Sequence, residues 1–138
     1  MSKLKLFTDG GSRGNPGPAA YGYIILETSG GAEIILEKCG NYLGITTNNQ
    51  AEYEGLIAGL KWVVTNHPTS DLEVFMDSLL IVNQLKGIFK VKNPELLPKY
   101  REAHKLFYAL NKPSITHIRR EYNSIADQLV NQALDARS

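Results

Sequence analysis

The apolar pattern of this chain changes period part-way along, and that change limits the folds open to it. KLKLFTD alternates as a strand does, ending near Asp9. GSRGNPGP follows as a turn-rich loop. AYGYIILE and AEIILEKCGNYL are β-rich runs on either side of Ser29-Gly30-Gly31, which predicts a hairpin. Three strands joined so closely form an antiparallel meander. At Thr47 the period becomes helical. Thr47 and Gln50 have the spacing of a capping box, and Ala51 to about Thr65 reads as a helix stopped by Asn66-His67-Pro68. LEVFMD is a short strand, and its consecutive Val74, Phe75 and Met76 suit a buried central position. SLLIVNQLKG is a short helix with Gly87 as its stop. IFKVKN connects it to a longer helix from about Pro94, a good first-turn residue, to Leu110. SITHIRRE is the last strand and SIADQLVNQALD the terminal helix. The order β-β-β-α-β-α-α-β-α predicts an α/β fold with a mixed five-stranded sheet flanked by helices.

Bulk properties narrow the function classes. The 138 residues suit one domain, 1–138, with a real core. Cys39 is the sole cysteine, so neither an intrachain disulfide nor a cysteine zinc site can form, and a reducing compartment is expected. No signal-peptide h-region and no apolar run of membrane-spanning length is present. Charge is unevenly spread. Residues 1–77 carry 5 basic and 9 acidic side chains, and residues 78–138 carry 10 basic and 5 acidic. Lys86, Lys90, Lys92, Lys99, Arg101 and Lys105 could form a phosphate-facing patch, although a solvated helix face explains them as well.

Four acids stand at the edges of core elements. Asp9 closes the first strand, and alone it reads as a turn-opening aspartate. Glu52 continues the helical stripe of Leu56, Gly59, Leu60 and Val63, where a carboxylate needs a cation to offset its desolvation. Asp77 ends a buried strand and could simply cap the next helix. Asp127 lies in the first turn of the last helix, three and seven residues before Val130 and Leu134. Helix-dipole stabilisation would account for Glu52 and Asp127 along their helices. Strand ends and helix starts can meet at one sheet edge, however, and clustered carboxylates repel and call for a divalent cation. Oxygen-only ligands favour Mg²⁺ or Mn²⁺.

TDGGSRGNPGPAAYG, TTNNQAEYEGLIAGL, MDSLLIVNQLKG and REYNSIADQLVNQAL resemble, in that order, the motif blocks of type-1 ribonuclease H over nearly the whole chain. The resemblance implies the ribonuclease H-like fold and endonucleolytic cleavage of the RNA strand in RNA–DNA hybrids. It implies that Asp9, Glu52, Asp77 and Asp127 are the catalytic residues and hold two Mg²⁺ or Mn²⁺ ions. Asp9 would bridge both ions. Asp127 would hold the ion that activates water, and Glu52 the other ion near the RNA 2′-hydroxyl. Asp77 would complete the set, and the products would be 5′-phosphate and 3′-hydroxyl ends. Gly14 and Asn15 match contacts to the RNA strand, Asn48 and Asn49 minor-groove contacts, and Thr47 a DNA-phosphate contact. Helix capping is the alternative use of Thr47, Asn48 and Asn49.

The chain departs from the family pattern in three places. The loop before Asp127 holds no His, and the long basic protrusion between the middle helices is absent. Leu79 stands where some members have a Gln that contacts RNA. The expected protein is cytoplasmic and monomeric, with a hybrid as substrate, no obligate protein partner, no membrane contact and no separate hybrid-binding domain before Met1. Two other readings remain open. A non-catalytic nucleic-acid-binding module would be favoured by loss of one acid. A DNA-strand nuclease or transferase of the wider superfamily is disfavoured by the Asn pair and by GNPG.

Overall fold

The computed structural model describes residues 3–137. The strands are β1 (Lys3–Ser12), β2 (Gly17–Ser29), β3 (Ala32–Thr46), β4 (Asp71–Met76) and β5 (Asn111–His117). The helices are α1 (Asn48–Asn66), α2 (Leu79–Leu85), α3 (Leu97–Tyr108) and α4 (Ser124–Asp135). One sheet forms in the order β3-β2-β1-β4-β5. Its β1–β2 and β2–β3 pairs are antiparallel, and its β1–β4 and β4–β5 pairs are parallel. The mixed sheet and the initial meander therefore agree with the sequence reading.

Strand parity divides the sheet into two faces. Leu4 and Leu6 of β1, Ile25 of β2 and Val74 of β4 are fully buried and pack with Leu56, Leu60 and Val63 of α1. Each such side chain contributes about 1.5–3 kcal/mol of hydrophobic stabilisation. α3 packs outside α1. The opposite face carries α4, which rests on β2 and β3 through Val130 and Leu134 against Ala20.

Several element ends differ from the expectations. β1 runs past Asp9 to Ser12, because Gly10, Gly11 and Ser12 pair with Tyr21, Ala20 and Ala19. GSRGNPGP is thus a loop only in its middle. β4 alternates: Leu72, Val74 and Met76 are buried, while Phe75 is half-buried and stacks on Phe7 with ring centroids 4.8 Å apart. The strand is central in the sheet but fully covered on one face only. α3 begins at Leu97 rather than Pro94. Asn93 makes a turn there, its Oδ1 accepting from Glu95 N at 2.8 Å, and Pro98 takes the first-turn position. β5 spans Asn111–His117 rather than residues 114–121, since its pairing with β4 ends at Met76–His117. Arg120–Tyr122 instead forms a single 3₁₀ turn.

The capping box is half-formed. Thr47 Oγ1 accepts from Gln50 N at 3.3 Å. The Gln50 side chain turns elsewhere, accepting from Thr46 Oγ1 at 2.8 Å and donating to Glu95 at 3.0 Å. It links the start of α1 to the turn before α3.

Candidate active site

β1 and β4 run parallel and in step, with Leu6 beside Val74 and Phe7 beside Phe75. Two residues further along each chain come Asp9 and Asp77, at the point where β4 stops and β1 continues. Alternation places both on the face that carries Phe7 and Phe75. Gly10 brings the third acid in. A Cβ on Gly10 would lie 2.4 Å from backbone atoms of Ala51 and Glu52, so only glycine lets β1 touch the first turn of α1. Glu52 is thereby pressed against the strand end. The result is a group of carboxylates from Asp9, Glu52 and Asp77 whose ligand atoms lie within 4.8 Å of one another.

Asp127, the fourth expected acid, lines the same cleft without joining that close group. The first turn of α4 holds it, with Asp127 N donating to Asn123 O at 3.1 Å. Its carboxylate lies 3.6 Å from Arg120 Nη2, and that Arg side chain is exposed.

The cluster is electrostatically unsatisfied. Burial pushes the Asp9 carboxyl up to about 8, reinforced by the charges of Asp77 and Glu52. Burial likewise raises Glu52 to about 7; a hydrogen bond from Ser78 opposes the rise and Asp77 adds to it. Asp77 is also raised by burial, against hydrogen bonding from Asn123 and the charge of Arg120. Like charges in a desolvated site hold protons they would release in water. The donor set is oxygen only and carries excess negative charge, and it fits a hard divalent cation.

The cleft encloses about 470 Å³, and Asn48 and Asn49 lie on its wall beside the acids. Asn48 is partly committed to the fold. Its Oδ1 accepts from Ser12 N at 2.7 Å and from Ser12 Oγ at 3.1 Å. Asn15 Oδ1 accepts from Asn48 N at 3.1 Å, supplying a partner to the α1 N-terminus from the β1–β2 loop. Gly14 beside it has φ of 100°, a conformation that favours glycine. Both are exposed. Thr47 faces a neighbouring groove that also contains Lys99. Lys99 is tied to Glu54 at 3.1 Å. The other cations of the sequence-identified patch, Lys86, Lys90, Lys92, Arg101 and Lys105, are exposed.

Sequence reasoning missed Arg120 and Ser78. Arg120 reads as part of a strand, and no pattern marks it as facing Asp127. The sequence offers Asp77 as the cap of α2, but Ser78 fills that role by accepting from Ile81 N at 3.3 Å.

The family described as Reverse transcriptase-like matches residues 7–133. Ribonuclease HI of Halobacterium salinarum is 41% identical over 96% of this chain and 65% of its own length. The crystal structure of that organism's RNase H1 superposes with a TM-score of 0.88, covering 96% of this chain and 98% of that one. A bifunctional protein of Mycobacterium tuberculosis is 42% identical over 97% of this chain and 36% of its own length. Its N-terminal RNase H domain, solved as a fusion with maltose-binding protein, gives a TM-score of 0.89 at 41% identity, covering 99% and 96% of the two chains. A compost-derived RNase H1 solved in complex with RNA/DNA hybrid gives 0.85 at 40% identity, covering 96% and 97%. The chain thus spans about a third of the length of the mycobacterial protein and about two thirds of the haloarchaeal one.

Proposed function

The chain belongs to the type-1 ribonuclease H family, and on that premise we propose that it cleaves the RNA strand of RNA–DNA hybrids internally, leaving 5′-phosphate and 3′-hydroxyl ends. The observation that carries this reading is the close group of buried Asp9 and half-buried Glu52 and Asp77 in a cleft also lined by Asn48 and Asn49. The hybrid bound by the compost RNase H1 supports the choice of substrate. Residues 1–138 are read as a single catalytic domain that acts as a monomer in the cytoplasm, without an obligate protein partner. Among the described residues no helix is long and apolar enough to cross a membrane.

In this mechanism Asp9, Glu52, Asp77 and Asp127 would hold two Mg²⁺ or Mn²⁺ ions. Those ions would supply a lowered pKa for the attacking water and charge stabilisation for the leaving 3′-oxygen. Asp9, whose carboxyl is raised furthest by burial and neighbouring charge, would contribute to holding both. Glu52 faces the leaving-group side and the neighbouring 2′-hydroxyl. Asp127, which lines the same cleft, would orient the attacking side. The Asn48 and Asn49 amides can both donate and accept, so they read 2′-hydroxyls and base edges in a wide minor groove without demanding a sequence. Gly14 and Asn15 approach the RNA strand. Thr47 takes a phosphate of the DNA strand, and the exposed lysines beyond α2 follow the duplex backbone.

The test is a gel assay of matched hybrid, duplex RNA, duplex DNA and single strands, with and without Mg²⁺ or Mn²⁺. The hybrid should be cut only with metal, and binding should weaken as salt rises because phosphate contacts release counterions. Cleavage of duplex DNA at a comparable rate would sink the assignment.

A further inference from the structure

Asn123 occupies the N-cap of α4, a position where asparagine ordinarily caps its helix. Here its side chain makes no capping bond. It turns inward, is almost wholly buried at 1% exposure, and Nδ2 donates to the Thr8 carbonyl at 2.9 Å, one residue before Asp9. The amide also lies beside the Asp77 carboxylate, where it opposes the rise in that group's pKa. Its backbone carbonyl accepts from Asp127 N at 3.1 Å. One residue therefore touches the frame of three of the four acids, drawn from β1, the end of β4 and α4. This arrangement has a cost. Asn123 Oδ1 is buried without a partner, and an unmet buried acceptor destabilises a fold. An apolar side chain of similar shape would avoid that cost but would leave the Thr8 carbonyl without its donor, so the amide is kept for the tie to β1 beside Asp9.

We propose that Asn123 is a positioning residue that holds the backbone beside Asp9, the Asp77 side chain and the start of α4 in one frame, setting the spacing of the acid cluster for a divalent cation. The inference rests on the functional reading above. Groups that orient ligands from behind typically change metal affinity or activity by about 10–100-fold when removed.

Mn²⁺ binding to the full chain is measured by calorimetry, alongside kcat and KM on a hybrid. Asn123→Ala and Asn123→Leu should each weaken Mn²⁺ binding at least 10-fold and lower kcat by a similar factor. KM for the hybrid should stay within about 3-fold, because the minor-groove wall is untouched. Asn123→Leu removes the unpartnered oxygen and keeps the branched shape, so it reports even if Asn123→Ala fails to fold. Leu72→Ala, at the other end of β4 from Asp77, is the control for plain destabilisation and should leave Mn²⁺ affinity unchanged. Wild-type affinity in a folded Asn123→Leu protein would overturn the inference. A wild-type chain that neither binds Mn²⁺ nor cuts hybrid would instead overturn the functional reading beneath it.

Discussion

The two walls of the cleft treat their polar groups in opposite ways. On the acid side, Asp9, Glu52 and Asp77 are desolvated and repel one another, and Ser78, Asn123 and Arg120 offset only part of that. On the amide side, Asn15, Asn48 and Ser12 bond to one another and hold the start of α1 to β1. The first region is destabilised until a ligand arrives. The second is a scaffold that is already satisfied and can lend its remaining donors to a substrate. Substitutions on the acid side should therefore cost function and spare the fold, and those on the amide side should cost some of each.

The largest expected effect is at Asp9. Asp9→Asn should lower hybrid cleavage by at least ~10³-fold, or about 4 kcal/mol in the barrier. In EDTA its melting temperature should equal or exceed that of the parent, since one repelling charge is gone. Strong destabilisation in EDTA would make Asp9 structural and erase the contrast between the walls.

The pH dependence of the metal-free protein sharpens the same contrast. Asp9 and Glu52 have folded pKa values of about 8 and about 7, above their ordinary values of 3.8 and 4.5. Between those limits the folded state binds more protons than the unfolded state, so stability falls as pH rises. The contribution is complete below about pH 4 and is lost as pH passes through 7 to 8. Denaturant melts in EDTA should show a loss of a few kcal/mol between pH 5 and pH 9, with a shallower slope in Asp9→Asn. A stability that rises over that interval would contradict the burial of the cluster.

This contrast also explains what was legible in the sequence. Each acid interrupts an apolar stripe or ends a buried strand, so Asp9, Glu52, Asp77 and Asp127 stand out by the energetic conflict they create. The alternation of β1, the hairpin at Gly30-Gly31 and the helical stripe through Leu56, Leu60 and Val63 follow from local periodicity in the same way. Asn123 and Arg120 create no such conflict in one dimension. An asparagine before a helix reads as a cap, and its turn toward Thr8 depends on a strand 115 positions away in sequence. The start of α3 at Leu97 rather than Pro94 has a related reason. Pro94 and Pro98 are both acceptable near a helix start, and the choice between them rests on the Asn93 turn and the Gln50–Glu95 bond. The course of β1 beyond Asp9 likewise required the pairing of Gly10, Gly11 and Ser12 with β2.

A middle-sized effect belongs to the amides. Asn48→Ala and Asn49→Ala should each raise KM for the hybrid by about 10-fold, the loss of roughly one to two hydrogen bonds, with kcat changed less. Only Asn48→Ala should also lower the melting temperature, because it frees Ser12. Equal melting temperatures for the two would show that the Asn48–Ser12 bonds add nothing to the scaffold.

The smallest effect is expected at Glu121, in the loop that carries no histidine. Glu121 is the one carboxylate between Arg119 and Asn123, and so the one candidate general base there. Its position argues against that role. It is exposed, in the middle of the 3₁₀ turn, and pairs with Arg119 at 3.7 Å rather than lining the cleft. The cleft wall at that point is Arg120, a cation that cannot act as a base. If the proposed ions lower the pKa of water themselves, no protein base is required in this loop. Glu121→Gln should change single-turnover cleavage by less than ~10-fold, under about 1.4 kcal/mol. Asp127→Asn should remove nearly all of it. Equal damage from the two would make Glu121 part of the acid wall and move the boundary between the two regions of the cleft.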